Sequence, residues 1–180
     1  VEEEFLKRQY RLKSSDGEST AQAAMVIMDH KTGKVLACVG GLGEKEYFRG
    51  LNRATQSQRQ TGSAIKPLAV LVPGIDRKIF TASTIYDDSK KTFENDYSPG
   101  NNDGGYLGEI TVRRALESSQ NIPFVEMMED ITPSRAISYL ENIGITSLTE
   151  EDESLGLALG GLQVGITPLE MAAAYSTIAN

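Results

Sequence analysis

Arg59-Gln60-Thr61-Gly62-Ser63-Ala64-Ile65-Lys66-Pro67 is the stretch on which the reading of this chain turns. A serine and a lysine stand three residues apart just after a glycine. If the segment from Ser63 onward is helical, the two side chains share one face, one turn apart. A serine hydroxyl is a weak nucleophile at neutral pH until a base takes its proton. A lysine serves as that base only when burial or a neighbouring cation lowers its pKa. Ser63 and Lys66 are thus a candidate nucleophile and base for acyl transfer. The pattern by itself carries little, since a chain this long yields about one such spacing by chance. An exposed helix start with a solvated lysine accounts for it equally well, so the neighbouring segments must decide.

A second constellation is Ser118-Ser119-Gln120-Asn121, between two predicted helices. A serine and an asparagine two residues apart on a short connection can face one cleft. Ser119 can relay a proton, and the Asn121 amide can donate to a carbonyl while accepting from an N–H. Ser and Asn are also common helix caps, so a C-cap followed by an N-cap explains the pair without chemistry.

The surrounding sequence predicts its own frame. Residues 1–20 read as a charged, helix-tolerant segment followed by a linker at Ser14-Ser15-Asp16-Gly17, and residues 21–180 as one domain. Residues 22–39 read as a β-hairpin turning at His30-Lys31-Thr32-Gly33, and Gly40 to Gly43 as a turn. A short apolar helix is predicted over 63–72, with Pro67 tolerated in its first turn. Residues 73–109 read as one long loop. Thr111 caps a helix to about Ser118, Pro123 opens one to about Glu129, and Thr132-Pro133 opens one that Gly144 ends. Glu150 to Glu153 reads as a solvated acidic loop. Thr167-Pro168-Leu169-Glu170 is a capping box opening a helix to Ala179. A hairpin followed almost wholly by helices is an α+β pattern in which helices cover the hairpin or further strands complete it.

Composition excludes several classes. The chain has 180 residues, 39% hydrophobic and 24% charged, which is a globular balance. Its net charge of −7 and pI near 4.8 argue against a nucleic-acid partner. The single histidine, His30, argues against a histidine metal site and a Ser-His-Asp triad, and its place in the turn predicts exposure. The single cysteine, Cys38, reads as a small buried hydrophobe. No stretch approaches the roughly 20 apolar residues that span a bilayer. Neither a metal nor a cofactor is expected.

Taken in order, the blocks resemble the transpeptidase domain of class A penicillin-binding proteins, over nearly all of residues 21–180. They are the hairpin Ala24–Gly41, Leu51-Asn52-Arg53-Ala54-Thr55 with Arg59 to Ser63, and Tyr97-Ser98-Pro99 through Gly104-Gly105-Tyr106-Leu107-Gly108. Arg114-Ala115-Leu116 to Asn121-Ile122-Pro123 follows, and then Thr167 to Tyr175. The resemblance implies a partial β-lactamase/transpeptidase-like fold: an N-terminal hairpin plus a helical subdomain, without the C-terminal sheet strands. It implies that Ser63 attacks the D-Ala-D-Ala end of a peptidoglycan stem peptide with Lys66 as base. Ser119 would pass protons, Asn121 would bind the substrate amide, and the Ser63 N–H would be one oxyanion donor. β-Lactam antibiotics would acylate Ser63 as substrate mimics. The whole protein would act at the extracytoplasmic face of the bacterial cell membrane, anchored there, with a glycosyltransferase domain ahead of Val1.

The chain departs from the family pattern at two places. Thr61 stands where proline is frequent. The family's Lys-Thr-Gly motif follows the last helix, whereas Lys31-Thr32-Gly33 precedes Ser63 and is explained by the hairpin turn. The chain stops at Asn180, so the expectation is a piece of the fold with impaired catalysis by itself. Three other readings compete: a serine β-lactamase or β-lactam sensor of the same fold, a non-catalytic scaffold or binding domain of that fold, and an unrelated globular domain with chance motifs.

Overall fold

In a computed structural model of the chain, residues 22–43 and 48–179 are described. The helix-tolerant segment 1–20 lies outside them. In chain order the regular elements are strands β1 (Met25–Asp29) and β2 (Lys34–Val39), then helix α1 (Arg53–Gln56). A composite helical run follows: a 3-10 turn (Gly62–Ile65), a π-helical turn (Pro67–Leu71) and helix α2 (Val72–Asp76). Next come β3 (Ile85–Asp88), a 3-10 turn at Glu94–Asp96, β4 (Gly108–Thr111), α3 (Val112–Glu117), α4 (Ile122–Ile131) and α5 (Pro133–Asn142). Two 3-10 turns (Glu150–Asp152, Leu155–Leu159) and α6 (Pro168–Ser176) complete the series. The mixture is an α+β fold, distributed over two compact units.

The first unit, residues up to Gln58 together with those from Ile166, holds the hairpin. β1 and β2 pair antiparallel, from Met25 opposite Val39 to Asp29 opposite Lys34, with a register irregularity at Ile27 and Met28. Asp29 closes the turn: its carboxylate accepts from the Lys31 N–H (3.1 Å) and the Thr32 hydroxyl (2.6 Å). Its carbonyl accepts from the Gly33 N–H at 2.8 Å. The Lys-Thr-Gly of this turn is therefore turn chemistry. α6 packs against β1 and α1, and its capping box forms as the sequence predicts. Thr167 Oγ1 accepts from the Glu170 N–H, and Glu170 Oε2 accepts from the Thr167 N–H at 3.0 Å. Two expectations fail here. Cys38 is exposed rather than buried, because β2 shows nearly all of its residues to solvent, including Leu36 at 66%. His30 is half-buried, and its Nδ1 is buried without a hydrogen-bond partner among the described residues.

The second unit, Arg59–Gly165, centres on α4. Ile122, Phe124, Val125, Met127, Met128 and Ile131 of this helix are all fully buried. They pack against α5, the π-helical turn, β3 and the Leu155–Leu159 turn. The predicted loop 73–109 is interrupted by regular structure. Most of α2, all of β3 and the start of β4 fall within it, and β3 and β4 form a second antiparallel sheet, Ile85 opposite Thr111 through Asp88 opposite Gly108. Strands of four residues show no lasting period, and Asp87-Asp88 has poor strand propensity, so pairing and packing impose what local sequence does not. The helix predicted over 63–72 runs on to Asp76 and is irregular at its start. The acidic run is only partly solvated. Asp152 is 2% exposed, accepting from Thr149 N–H (2.8 Å), Thr149 Oγ1 (3.1 Å) and Gln163 N–H (2.7 Å).

Leu140 on α5 has no exposed surface. Leu140→Ala is expected to lower unfolding stability by about 2–5 kcal/mol in urea titrations. The exposed neighbour Ser138→Ala should stay within about 0.5 kcal/mol.

Candidate active site

Ser63 lies in the 3-10 turn Gly62–Ile65 and is exposed, while Lys66, which closes that turn, is 1% exposed. The Lys66 N–H donates to the Ser63 carbonyl. Residues three apart in a 3-10 turn eclipse one another, so the two side chains leave the backbone in similar directions. Pro67 has no N–H to continue the ladder, and the next turn widens so that the Val72 N–H reaches the Pro67 carbonyl. Gly160 (φ +77°) forms a floor beneath this turn: a side chain there would run into the Gly62 backbone and Thr61 Oγ1.

The Lys66 amine is held by the second constellation. Nζ donates to the carbonyls of Ser119 (2.7 Å) and Gln120 (3.0 Å) and to Asn121 Oδ1 (2.8 Å). Ser119 Oγ is 3.3 Å away. The Phe124 ring faces it with its centroid at 5.1 Å. Burial pushes the Lys66 pKa down to about 8, while the negative charge of Asp88 pulls it back up. At that value about one molecule in ten carries the neutral amine at pH 7, against roughly one in three thousand for an ordinary lysine.

The segment 118–121 takes its shape from the end of α3. The Gln120 N–H bonds back to Ala115 O and the Ser119 N–H to Leu116 O, both at 3.0 Å. This is a Schellman motif, in which the residue occupied here by Ser119 adopts positive φ and is usually glycine. Ser119 sits at φ +54°. α5 ends in the same pattern with the ordinary residue, Gly144 at φ +95°: Ile145 N–H bonds to Leu140 O and Gly144 N–H to Glu141 O. The C-cap half of the bland reading therefore holds, achieved by backbone alone. The N-cap half does not: the Asn121 side chain makes no capping bond to α4. Its Oδ1 accepts from Lys66 and its Nδ2 donates to Gly100 O at 2.7 Å.

The structure thus brings Lys66, Ser119 and Asn121 into direct contact and sets Ser63 one turn from Lys66. Sequence reasoning missed Asp88, Phe124 and Gly160. Asp88 ends a four-residue strand with no sequence signature, and Phe124 reads as ordinary helix core. No group of three or more His, Cys, Asp or Glu among the described residues is placed to hold a metal ion.

A family profile described as penicillin binding protein transpeptidase domain matches residues 23–180. The chain belongs to the penicillin-binding protein transpeptidase family. It is 39% identical over 163 residues to penicillin-binding protein 1F of Bacillus subtilis, covering 90% of this chain and 22% of that protein. It is 34% identical over 185 residues to penicillin-binding protein 1A of Clostridium acetobutylicum, covering 96% and 23%. The crystal structure of penicillin-binding protein 1A from Haemophilus influenzae aligns with a TM-score of 0.80 at 28% identity, over 94% of this chain and 26% of that one. PonA1 of Mycobacterium tuberculosis, solved in complex with penicillin V, shares the fold with a TM-score of 0.76 at 24% identity, over 99% and 54%. The transpeptidase-family chain spans about a quarter or less of the length of these curated relatives.

Ser119→Gly and Ser119→Ala both remove the hydroxyl, but only glycine relieves the left-handed backbone. The glycine variant is expected to be the more stable of the two by about 1 kcal/mol in paired urea melts.

Proposed function

We propose that Ser63 is the nucleophile of a peptidoglycan D,D-transpeptidase, forming an acyl-enzyme with the stem peptide of a cell-wall precursor and with β-lactams. The observation that carries the reading is the buried Lys66 amine, bonded at once to Asn121 and to both carbonyls of the Ser119-Gln120 segment. Burial lowers the pKa of that amine toward working pH, which is what a lysine base requires. Neutral Lys66 takes the proton of Ser63 Oγ as the oxygen attacks the carbonyl carbon of the penultimate D-Ala. The oxyanion gathers hydrogen bonds, the Ser63 N–H among them. The C–N bond then breaks and the leaving amine takes a proton, delivered from Lys66 through Ser119 Oγ. An acceptor amine from a second stem peptide reverses these steps and gives the cross-link. The Asn121 amide orients the substrate's amide side. In this reading the whole protein works at the outer face of the bacterial cell membrane.

The test is intact-mass detection of penicillin acylation, on the whole protein carrying this chain and on residues 1–180 alone. One adduct per molecule, absent from Ser63→Ala, is expected for the whole protein. No adduct on the wild-type whole protein sinks the enzyme reading in favour of a scaffold of the same fold. An adduct that hydrolyses within seconds points to a β-lactamase instead.

The pH dependence follows from the sign of the Lys66 shift. Protonated Lys66 cannot accept the serine proton, so acylation is slow below the folded pKa. The rate should climb about tenfold per pH unit up to about 8 and level off above it, as stopped-flow acylation from pH 6 to 9.5 would record. A rate flat across that range would remove Lys66 as the base.

A further inference from the structure

Asp88 has no exposed surface and forms no ion pair among the described residues, yet both its oxygens are used. Oδ1 accepts from Asn101 Nδ2 at 2.7 Å, and Oδ2 accepts from the Leu107 N–H at 2.9 Å. Asn101, itself 8% exposed, also donates from Nδ2 to Gly105 O at 2.8 Å, and its Oδ1 accepts from the Asn121 N–H at 2.7 Å. We propose that Asp88 is a positioning residue for the active site, holding through Asn101 the main chain at Asn121 from which the Asn121 amide reaches Lys66. This rests on the transpeptidase reading of that site.

The argument is one of hydrogen-bond polarity. An ionised carboxylate only accepts. Facing it, Asn101 must turn its NH2 toward Asp88, which forces its oxygen toward the Asn121 backbone. Gly100 O, also an acceptor, fixes the Asn121 NH2 on its own side. What remains of Asn121 is Oδ1, and it points at Lys66 Nζ. An asparagine at 88 cannot substitute, because its own NH2 would oppose either the Asn101 NH2 or the Leu107 N–H. The carboxylate has a second effect at longer range, since its charge favours protonated Lys66. The other charged side chains nearby are engaged elsewhere: Asp87 and Glu126 pair with Lys91, and Asp130 accepts from Tyr86 Oη.

The test measures the second-order rate of β-lactam acylation against pH, with a melting temperature for each variant, in the whole protein. Asp88→Asn should lower the plateau rate about tenfold by loosening Asn121. It should also move the rising limb to lower pH, because a lysine without the nearby anion gives up its proton more readily. Asn101→Ala should lower the plateau similarly while leaving the limb in place, since the Asp88 charge remains. A bracing role confined to the loop would move melting temperature but neither limb nor plateau. That outcome, with both variants within twofold of wild type, overturns the proposal. Should Asp88→Asn fail to fold, the Asn101→Ala plateau decides alone. Labelling that persists in Ser63→Ala, or an unlabelled wild type, removes the transpeptidase reading and this proposal together. A labelled wild type with indifferent variants removes the proposal only.

Discussion

A lysine amine with almost no exposed surface has to be met by acceptors, because an unsolvated charge costs several kcal/mol. The 59–165 unit is arranged around that demand. Two main-chain carbonyls and one amide oxygen converge on Lys66 Nζ, all from three successive residues. Those residues are free to turn their carbonyls inward because α3 has just ended and α4 has not begun. The Schellman closure of α3 is thus the device that supplies the acceptors, and the serine in its left-handed position is part of the same arrangement. Backbone strain of this kind costs on the order of 1 kcal/mol and persists where the surroundings over-determine it.

The electrostatic balance has two opposing parts. Desolvation favours the neutral amine and the Asp88 charge opposes it; the three acceptors and the Phe124 ring also suit the ammonium form. A pKa near 8 is the outcome of that opposition. Too little burial would leave a permanently charged lysine, unable to act as base. Too few acceptors would leave a neutral one, without the proton that a leaving amine needs.

What could be read from the sequence was what depends on local chemistry. The hairpin turn at Asp29–Gly33, the Thr111 cap and the Thr167–Glu170 capping box each rest on side chains within four residues of one another, and each stands in the structure. Ser63, Lys66, Ser119 and Asn121 could be named because two short patterns carry them. The β3–β4 sheet and Asp88 were not legible, because their reasons lie across the fold. Asp88 meets Asn101 thirteen residues on and acts on Lys66 from another element. Cys38 was misread because an apolar strand suggests two covered faces, whereas β2 is open to solvent along most of its length.

The π-helical turn after Lys66 bears on how such a chain tolerates changes of length. A π turn holds one residue more than an α turn closed by the same kind of bond. Loss of any one residue from Pro67–Leu71 would let the ladder close as a regular α-helix. Because the π and α turns each close in about one revolution, such a deletion would change the rotation between Lys66 and the helix beyond Val72 only slightly, so the wide turn absorbs one residue without re-aiming the amine. The cost of the deletion lies in packing instead: Leu68, Ala69 and Val70 of this turn have no exposed surface, whereas residues 102–107 are exposed.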